Sequence, residues 1–116
     1  MKFIINGGKQ LNGEITLSGS KAAAPKMMVA SLLTNEPIYL ENFPLIGDTE
    51  ITGELCRLIG SRLEIDVEKN ILKIQTPEIK NCRAVSLTRR NRIPILALGP
   101  LLARAGEAEV PFLGGD

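Results

Sequence analysis

An apolar run near the start of the chain predicts its first helix. Residues 22–33 contain only two polar side chains, Lys26 and Ser31. A helix that is apolar on nearly every side must be buried on every side rather than along one stripe. Proline suits the first turn of a helix and breaks its interior, so this helix is predicted to start close to Pro25. Lys21 is then expected just before the helix or in an irregular opening turn.

A second helix is predicted from apolar residues at helical spacing, and this one is amphipathic. Asp48 is a good N-cap residue for it, and Gly60 is the expected stop. The apolar positions recur at i, i+4, i+7 and i+8 and are Ile51, Leu55, Leu58 and Ile59. One side of this helix is therefore expected to face solvent.

Alternation of apolar and polar residues predicts the strands. Short strands are expected at residues 3–6, 13–18 and 37–42. Residues 62–67 and 71–76 alternate on either side of a turn, which is typical of a β-hairpin. The chain is therefore expected to mix helices and strands in an α/β (α+β) fold.

The opening pattern returns about 70 residues further on, which indicates an internal repeat. Residues 85–87 parallel residues 15–17, and residues 93–103 form a second apolar run, with a kink expected at Gly99-Pro100. A strand is expected at residues 107–112. The remaining correspondences pair Arg90 with Lys21, Pro94 with Pro25, and Leu101-Leu102 with Leu32-Leu33. The repeating unit is strand, helix, strand, helix and hairpin, and the second copy stops partway.

The two apolar helices need more cover than this chain supplies. One amphipathic helix and a few strands, in 116 residues, cannot easily bury two helices on all sides. We therefore expect that the chain is a fragment, or that it buries these helices against the rest of its own chain or an oligomeric partner.

Composition narrows the functional classes. The chain is 44% hydrophobic and 23% charged with a formal net charge of +1, which is typical of one globular domain and argues against nucleic-acid binding. Histidine is absent, and Cys56 and Cys82 are isolated, which argues against a zinc site and against Ser/His/Asp chemistry. The apolar runs are too short to span a membrane, and residues 1–8 do not resemble a signal peptide. We expect a cytoplasmic protein with reduced thiols.

Basic residues beside the predicted helix starts are candidates for an anion site. Lys21, Arg90 and Arg92 lie where helix N–H groups and the helix dipole favour phosphate or carboxylate, and arginine adds a bidentate fork. The alternative is that they are solvated residues whose stems cover apolar surface. Asp116 ends the segment Gly114-Gly115-Asp116, which is either a mobile loop carrying a carboxylate or a simple surface turn.

Several stretches together resemble a known family, in order and in spacing. They are Gly13 to Lys21, Ala30 to Pro44, Leu98 to Arg104, and Gly114 to Asp116. The family is UDP-N-acetylglucosamine 1-carboxyvinyltransferase, the enolpyruvyl transferase of the first committed step of peptidoglycan synthesis, and the resemblance is to its N-terminal part. It implies phosphoenolpyruvate and UDP-N-acetylglucosamine as substrates, no cofactor and no metal, and no activity for this fragment alone.

The resemblance also implies a fold and site residues. The family is built from repeated βαβαββ units with buried helices in two domains. Residues 1–20 would be strands of the other domain, and residues 21–116 the first unit with part of the second. Lys21 would contact phosphoenolpyruvate and take part in catalysis, and Arg92 would help to bind its anionic groups. Asp116, at a position that is usually cysteine, would be the general acid on a loop that closes over the substrates. Fosfomycin alkylates that cysteine, so the resemblance implies that an enzyme with aspartate at this position is insensitive to fosfomycin.

The sequence departs from the family pattern beside the lysine. Ala22 stands at a substrate-binding position where the family has an asparagine that contacts substrate, and the following proline is displaced by one residue.

Two alternatives to this family stay open. One is the related shikimate-pathway enolpyruvyl transferase, and the other is a non-enzymatic module that binds a partner through its apolar helices.

Overall fold

The computed structural model describes residues 1–87 and 92–112. Its α-helices are α1 (Ala24–Ala30), α2 (Gly47–Ile59) and α3 (Leu98–Ala105), and its 3₁₀ segments are η1 (Ser31–Leu33) and η2 (Ile93–Ala97). Its strands are β1 (Ile38–Leu40), β2 (Arg62–Asp66) and β3 (Ile71–Gln75). The mixture of helix and strand predicted from the sequence is confirmed.

The three strands form one antiparallel sheet with β3 in the centre, in the order β1-β3-β2. The predicted hairpin is confirmed, and Leu63 pairs with Ile74 in its register. Alternation along β3 sends Leu72 and Ile74 to one face, where both are fully buried. That face is the one that the helices cover.

Helices α1 and α2 pack against each other beside this sheet, and their apolar side chains meet those of β3. The fully buried apolar residues that join these three elements and η1 are Met28, Leu32, Leu55, Cys56, Ile59, Leu72 and Ile74. Gly60 ends α2 with a φ of +132°, as predicted from its freedom to adopt positive φ. A Cβ atom there would lie 2.6 Å from the carbonyl oxygen of Glu78, so the turn accepts only glycine without rearrangement.

The apolar helices are buried on one side only within this chain, so the expectation of burial on every side is not met here. Met27 of α1 is 54% exposed, Leu33 of η1 is 55% exposed and Leu102 of α3 is 53% exposed. No helix among residues 1–87 and 92–112 has both the length and the hydropathy needed to cross a membrane.

The predicted second helix of the repeat forms in two parts. Residues 93–97 are a 3₁₀ segment and α3 begins at Leu98. The helix type therefore changes before Gly99-Pro100, where a kink was predicted. Pro100 lies in the first turn of α3, where its missing N–H leaves no intrahelical hydrogen bond unmade.

Four predicted strands do not form. Residues 1–20 contain no helix or strand, and residues 85–87 are also irregular. Residues 107–112 contain only an isolated parallel bridge, between Glu109 and Arg83. The N-terminal segment contributes to a radius of gyration of 17.2 Å, against about 13 Å for a compact chain of this length. An alternating sequence becomes a strand only where a neighbouring strand accepts its hydrogen bonds, and no such strand lies beside these segments in the described part of the chain.

Candidate functional site

The candidate site lies at the start of α1, where a turn at residues 21–23 carries Lys21. The carbonyl oxygen of Ser20 accepts a hydrogen bond from the Ala24 N–H at 3.0 Å, and its hydroxyl oxygen accepts one from the Ala23 N–H at 3.2 Å. Pro25 is the second residue of the helix, in its first turn. The predicted position of Lys21, in a turn before the helix, is confirmed. Its side chain is 77% exposed.

The start of α2 lies beside this turn, and it is built differently from the prediction. The N-cap is Ile46, and Asp48 is the second helical residue, so the N-cap prediction for Asp48 is wrong. The cap is made from inside the helix, because the Thr49 hydroxyl oxygen accepts a hydrogen bond from the Ile46 N–H at 3.1 Å. Asp48 is thus free of the capping role, and its carboxylate lies in the first turn, where the helix dipole favours negative charge.

Lys21 and Asp48 meet across a cleft between the two helix starts. Lys21 Nζ lies 3.5 Å from Asp48 Oδ2, and the Asp48 side chain is 39% exposed. The cleft has a volume of about 380 Å³, and its walls include Ser18, Gly19, Pro44 and Ile46. Sequence analysis singled out Lys21 and missed this partner, because nothing local in the sequence places residue 48 opposite residue 21.

Gly19 fixes the distance between the two helix starts. A Cβ atom at Gly19 would lie 1.9 Å from the Asn42 carbonyl oxygen and 2.9 Å from Pro44 Cδ. The Asn42 side-chain amide donates a hydrogen bond to the Leu17 carbonyl oxygen at 3.2 Å. The segment that leads to Lys21 is therefore held directly against the segment that leads to α2.

The other predicted site residues have different outcomes. Ala22 is exposed in the same turn as Lys21. Arg92 is exposed and directly precedes η2, which packs against α1. The helical elements that follow Lys21 and Arg92 are therefore neighbours. Asp116 and Arg90 lie outside the described residues.

The helix starts are less suited to anion binding than the sequence suggested. Helix α1 has only seven residues, and Arg92 precedes a 3₁₀ segment whose second residue is Pro94, which has no N–H. Any anion here would be held chiefly by the ammonium and guanidinium groups. Among the described residues, no three His, Cys, Asp or Glu side chains cluster in a way that could hold a metal ion.

Cys56 lies in the core and takes no part in the site. Its Sγ is 3.8 Å from the Met28 carbonyl oxygen. Burial raises the pKa of the Cys56 thiol to about 12, so the thiol is protonated at neutral pH. A protonated and buried thiol is neither a nucleophile nor a metal ligand.

Arg104 is a second residue whose importance sequence analysis missed. Its Nη1 donates hydrogen bonds to the carbonyl oxygens of Leu32, Thr34 and Thr76 at 2.9–3.0 Å. The guanidinium therefore ties α3 to the end of η1 and to the end of β3. The available signal was a basic residue directly after the second apolar run, residues 93–103.

Comparison with known proteins gives one family match. Residues 5–116 match the family described as EPSP synthase (3-phosphoshikimate 1-carboxyvinyltransferase). In fold, the chain is similar to the enolpyruvyl transferase NikO from Streptomyces tendae, with a TM-score of 0.69 over 86% of this chain and 23% of that one, at 24% sequence identity.

Curated relatives are similar over nearly the whole chain. The UDP-N-acetylglucosamine 1-carboxyvinyltransferase of Chlamydia pneumoniae is 47% identical over 112 residues, which are 95% of this chain and 24% of the relative. The protein of the same name from Psychromonas ingrahamii is 43% identical over 115 residues, which are 98% of this chain and 27% of the relative. The chain thus spans about a quarter of the length of the curated relatives that it matches.

Proposed function

Because the chain belongs to the EPSP synthase family, we propose that it forms the N-terminal quarter of an enolpyruvyl transferase. The acceptor is UDP-N-acetylglucosamine and the transferred group is carboxyvinyl, as the names of the relatives suggest. The family resemblance adds phosphoenolpyruvate as the donor and the 3-hydroxyl of the sugar as the point of attachment. The observation that carries the proposal is the place of Lys21, whose exposed ammonium lies at a cleft between two helix starts. A cationic group in such a cleft suits a small substrate with a phosphate and a carboxylate.

The reaction requires stabilisation of anionic groups, one proton donor and one proton acceptor. A base in the rest of the enzyme takes the proton of the sugar hydroxyl as its oxygen attacks C2 of phosphoenolpyruvate, and C3 gains a proton from the donor, which gives a tetrahedral adduct. The adduct then loses phosphate from C2 and a proton from C3, which restores the carbon–carbon double bond. Lys21 and Arg92 hold the phosphate and carboxylate charges, and Asp116 donates the proton. A carboxylic acid does this at neutral pH only if burial or nearby negative charge raises its pKa.

The exposed apolar surface supports an assembly larger than residues 1–116. In the first 20 residues, Phe3, Ile5 and Leu11 are each more than 80% exposed. We assign residues 1–20 to strands of a second domain, and residues 21–116 to one βαβαββ unit with part of the next. The exposed sides of α1 and α3 are then covered by the rest of the enzyme.

The proposal also covers activity and location. Residues 1–116 alone are inactive. The complete enzyme acts in the cytoplasm, in the first committed step of peptidoglycan synthesis.

A second acceptor has one observation in its favour. The matched family is described by its action on 3-phosphoshikimate, so that compound is the alternative acceptor. The donor and the roles of Lys21 and Arg92 are the same under both proposals.

Two chimeric enzymes test the proposal. Residues 1–116 replace the matching quarter of the Chlamydia pneumoniae relative in one chimera, and the matching quarter of an EPSP synthase in the other. We expect release of phosphate from phosphoenolpyruvate by the first chimera with UDP-N-acetylglucosamine, and none by the second with 3-phosphoshikimate. The reverse pattern would favour the alternative acceptor. Two folded but inactive chimeras would contradict enolpyruvyl transfer.

A further inference from the structure

We propose that Asp48 is a positioning residue that holds the Lys21 ammonium in place for catalysis. This inference rests on the proposed function, because it gives Lys21 its role there. Three features of the structure support it: the rigid support of Asp48, the exposed stem of Lys21, and the number of N–H groups that the ion pair leaves free.

The carboxylate of Asp48 lies on a well-anchored element. Helix α2 has 13 residues, and the side chains of its Leu55 and Ile59 are completely buried. Two threonine side chains that follow Asp48 in the helix make hydrogen bonds at its first turn. The Thr49 hydroxyl donates a hydrogen bond to the Pro44 carbonyl oxygen at 2.9 Å, and the Thr52 hydroxyl donates one to the Asp48 carbonyl oxygen at 2.6 Å.

Lys21, in contrast, has a flexible stem that packing does not hold. Its side chain is 77% exposed, and its ammonium reaches Asp48 Oδ2 at 3.5 Å. A lysine on a four-carbon stem samples many rotamers unless a partner fixes it. The close approach of Gly19 to Asn42 brings the backbone of Lys21 and that of Asp48 near enough for their side chains to form the ion pair.

The pair is better suited to catalysis than to stability. Exposed ion pairs add little to the free energy of folding, and both side chains reach solvent. An ammonium has three N–H donors, so one directed at Asp48 leaves two for an incoming phosphate or carboxylate. The carboxylate thus orients the ammonium without consuming its capacity to bind an anion.

Neutralising Asp48 has two opposing consequences that kinetics can separate. Loss of the anchor lets the ammonium leave its productive position, which lowers kcat. Loss of a negative charge beside the anion site weakens repulsion of phosphoenolpyruvate, which lowers KM or leaves it unchanged. We expect Asp48→Asn to reduce kcat about tenfold, since small misplacements of a catalytic group have effects of this size or larger, with no rise in KM.

Glu50→Gln is the matched control, since Glu50 is also an acidic residue in the first turn of α2. The test uses the active chimera with the Chlamydia pneumoniae remainder and compares Asp48→Asn, Glu50→Gln, Lys21→Ala and the Lys21→Ala/Asp48→Asn double variant. If Asp48 acts through Lys21, Asp48→Asn reduces kcat in the parent but has no further effect once Lys21 is alanine. Glu50→Gln keeps the parental kcat. Circular dichroism confirms that each variant is folded.

The outcomes separate this inference from the proposed function. An active parent in which Asp48→Asn matches Glu50→Gln overturns the inference and leaves the proposed function standing. An equal loss from Asp48→Asn with and without Lys21 also overturns it, because Asp48 would then act independently. A folded parent with no enolpyruvyl transfer overturns the proposed function, and the inference with it.

Discussion

Residues 21–79 and residues 80–112 begin from similar sequence patterns, but among the residues that the structure describes only the first region forms a sheet. Both have an apolar helical run, observed as α1 with η1 and as η2 with α3. Both also have alternating segments, yet in the described part of the second region these form only the bridge between Arg83 and Glu109. A helix makes its hydrogen bonds within one segment, whereas a strand needs a second segment in register. The first region contains that second segment, whereas residues 80–87 and 92–112 do not.

Two matched substitutions test whether an alternating segment contributes to stability when it has no partner strand. The first of them has the largest effect expected here. Ile74→Ala removes a fully buried side chain from β3, so it should lower the free energy of unfolding by about 2–5 kcal/mol. Ile15→Ala makes the same change in an alternating segment without a partner, at a residue 87% exposed. It should change the free energy by about 0.5 kcal/mol or less.

Urea unfolding followed by circular dichroism measures both variants. The wild-type chain is the common reference, and equal slopes of free energy against urea show that the variants unfold from similar states. A loss for Ile15→Ala as large as that for Ile74→Ala would mean that residues 13–18 are packed within this chain, and would erase the contrast.

The same contrast explains which elements the sequence could predict. Helix α2 and the hairpin of β2 and β3 follow from local periodicity, because their hydrogen-bond partners lie within a few residues. The strands expected at residues 3–6, 13–18 and 85–87 depend on partners that no local pattern identifies. Burial of α1 and α3 on every side fails within this chain for the same reason, since their cover must come from distant or separate segments.

The candidate site also combines a local feature that the sequence predicts with a contact that it does not. The turn before α1 is local, and the position of Lys21 followed from the limits that Pro25 sets on the helix. The contact with Asp48 joins residues that are distant in sequence, and it depends on the packing of Gly19 against Asn42 and Pro44. Asp48 was predicted to be an N-cap from its own propensity, but Thr49 supplies the hydrogen bond to the Ile46 N–H.

Arg104 tests how the two regions are joined. Its guanidinium, on α3, donates hydrogen bonds to carbonyl oxygens of η1 and of residues 76 and 77 at the end of β3. Hydrogen bonds from a charged group add about 1.5–3 kcal/mol each and are not additive. Arg104→Ala should therefore lower the free energy of unfolding by about 2 kcal/mol, and Arg104→Lys should restore only part of it, because an ammonium lacks the planar fork.

Arg83→Ala is the control, because Arg83 pairs with Glu109 inside the second region and is exposed. Its midpoint of urea unfolding should stay at the wild-type value. Hydrogen exchange shows which region loses stability, since Arg104→Ala should speed exchange in α3 more than in β3. Uniformly faster exchange would mean that the two regions open as one unit.

The two cysteines allow a smaller and pH-dependent comparison of the same regions. Cys56 is fully buried beneath α1, and Cys82 is half-buried in the second region. Burial raises the pKa of the Cys56 thiol from its ordinary value of 9.0 to about 12. Above pH 9 the unfolded chain loses this proton while the folded chain keeps it, so the unfolded state is favoured as pH rises. The stabilisation is complete below pH 9 and declines by up to about 1.4 kcal/mol per pH unit toward pH 12.

Free energies of unfolding between pH 8 and pH 11 measure this slope, and Cys56→Ala isolates it from lysine and tyrosine titration. The wild type should lose stability more steeply than Cys56→Ala above pH 9, whereas Cys82→Ala should follow the wild type. Parallel curves for the wild type and Cys56→Ala would mean that water reaches Sγ and that α1 does not seal this part of the core. A steeper wild-type curve would place the closed interior in the first region, where β3 has a partner strand on each side.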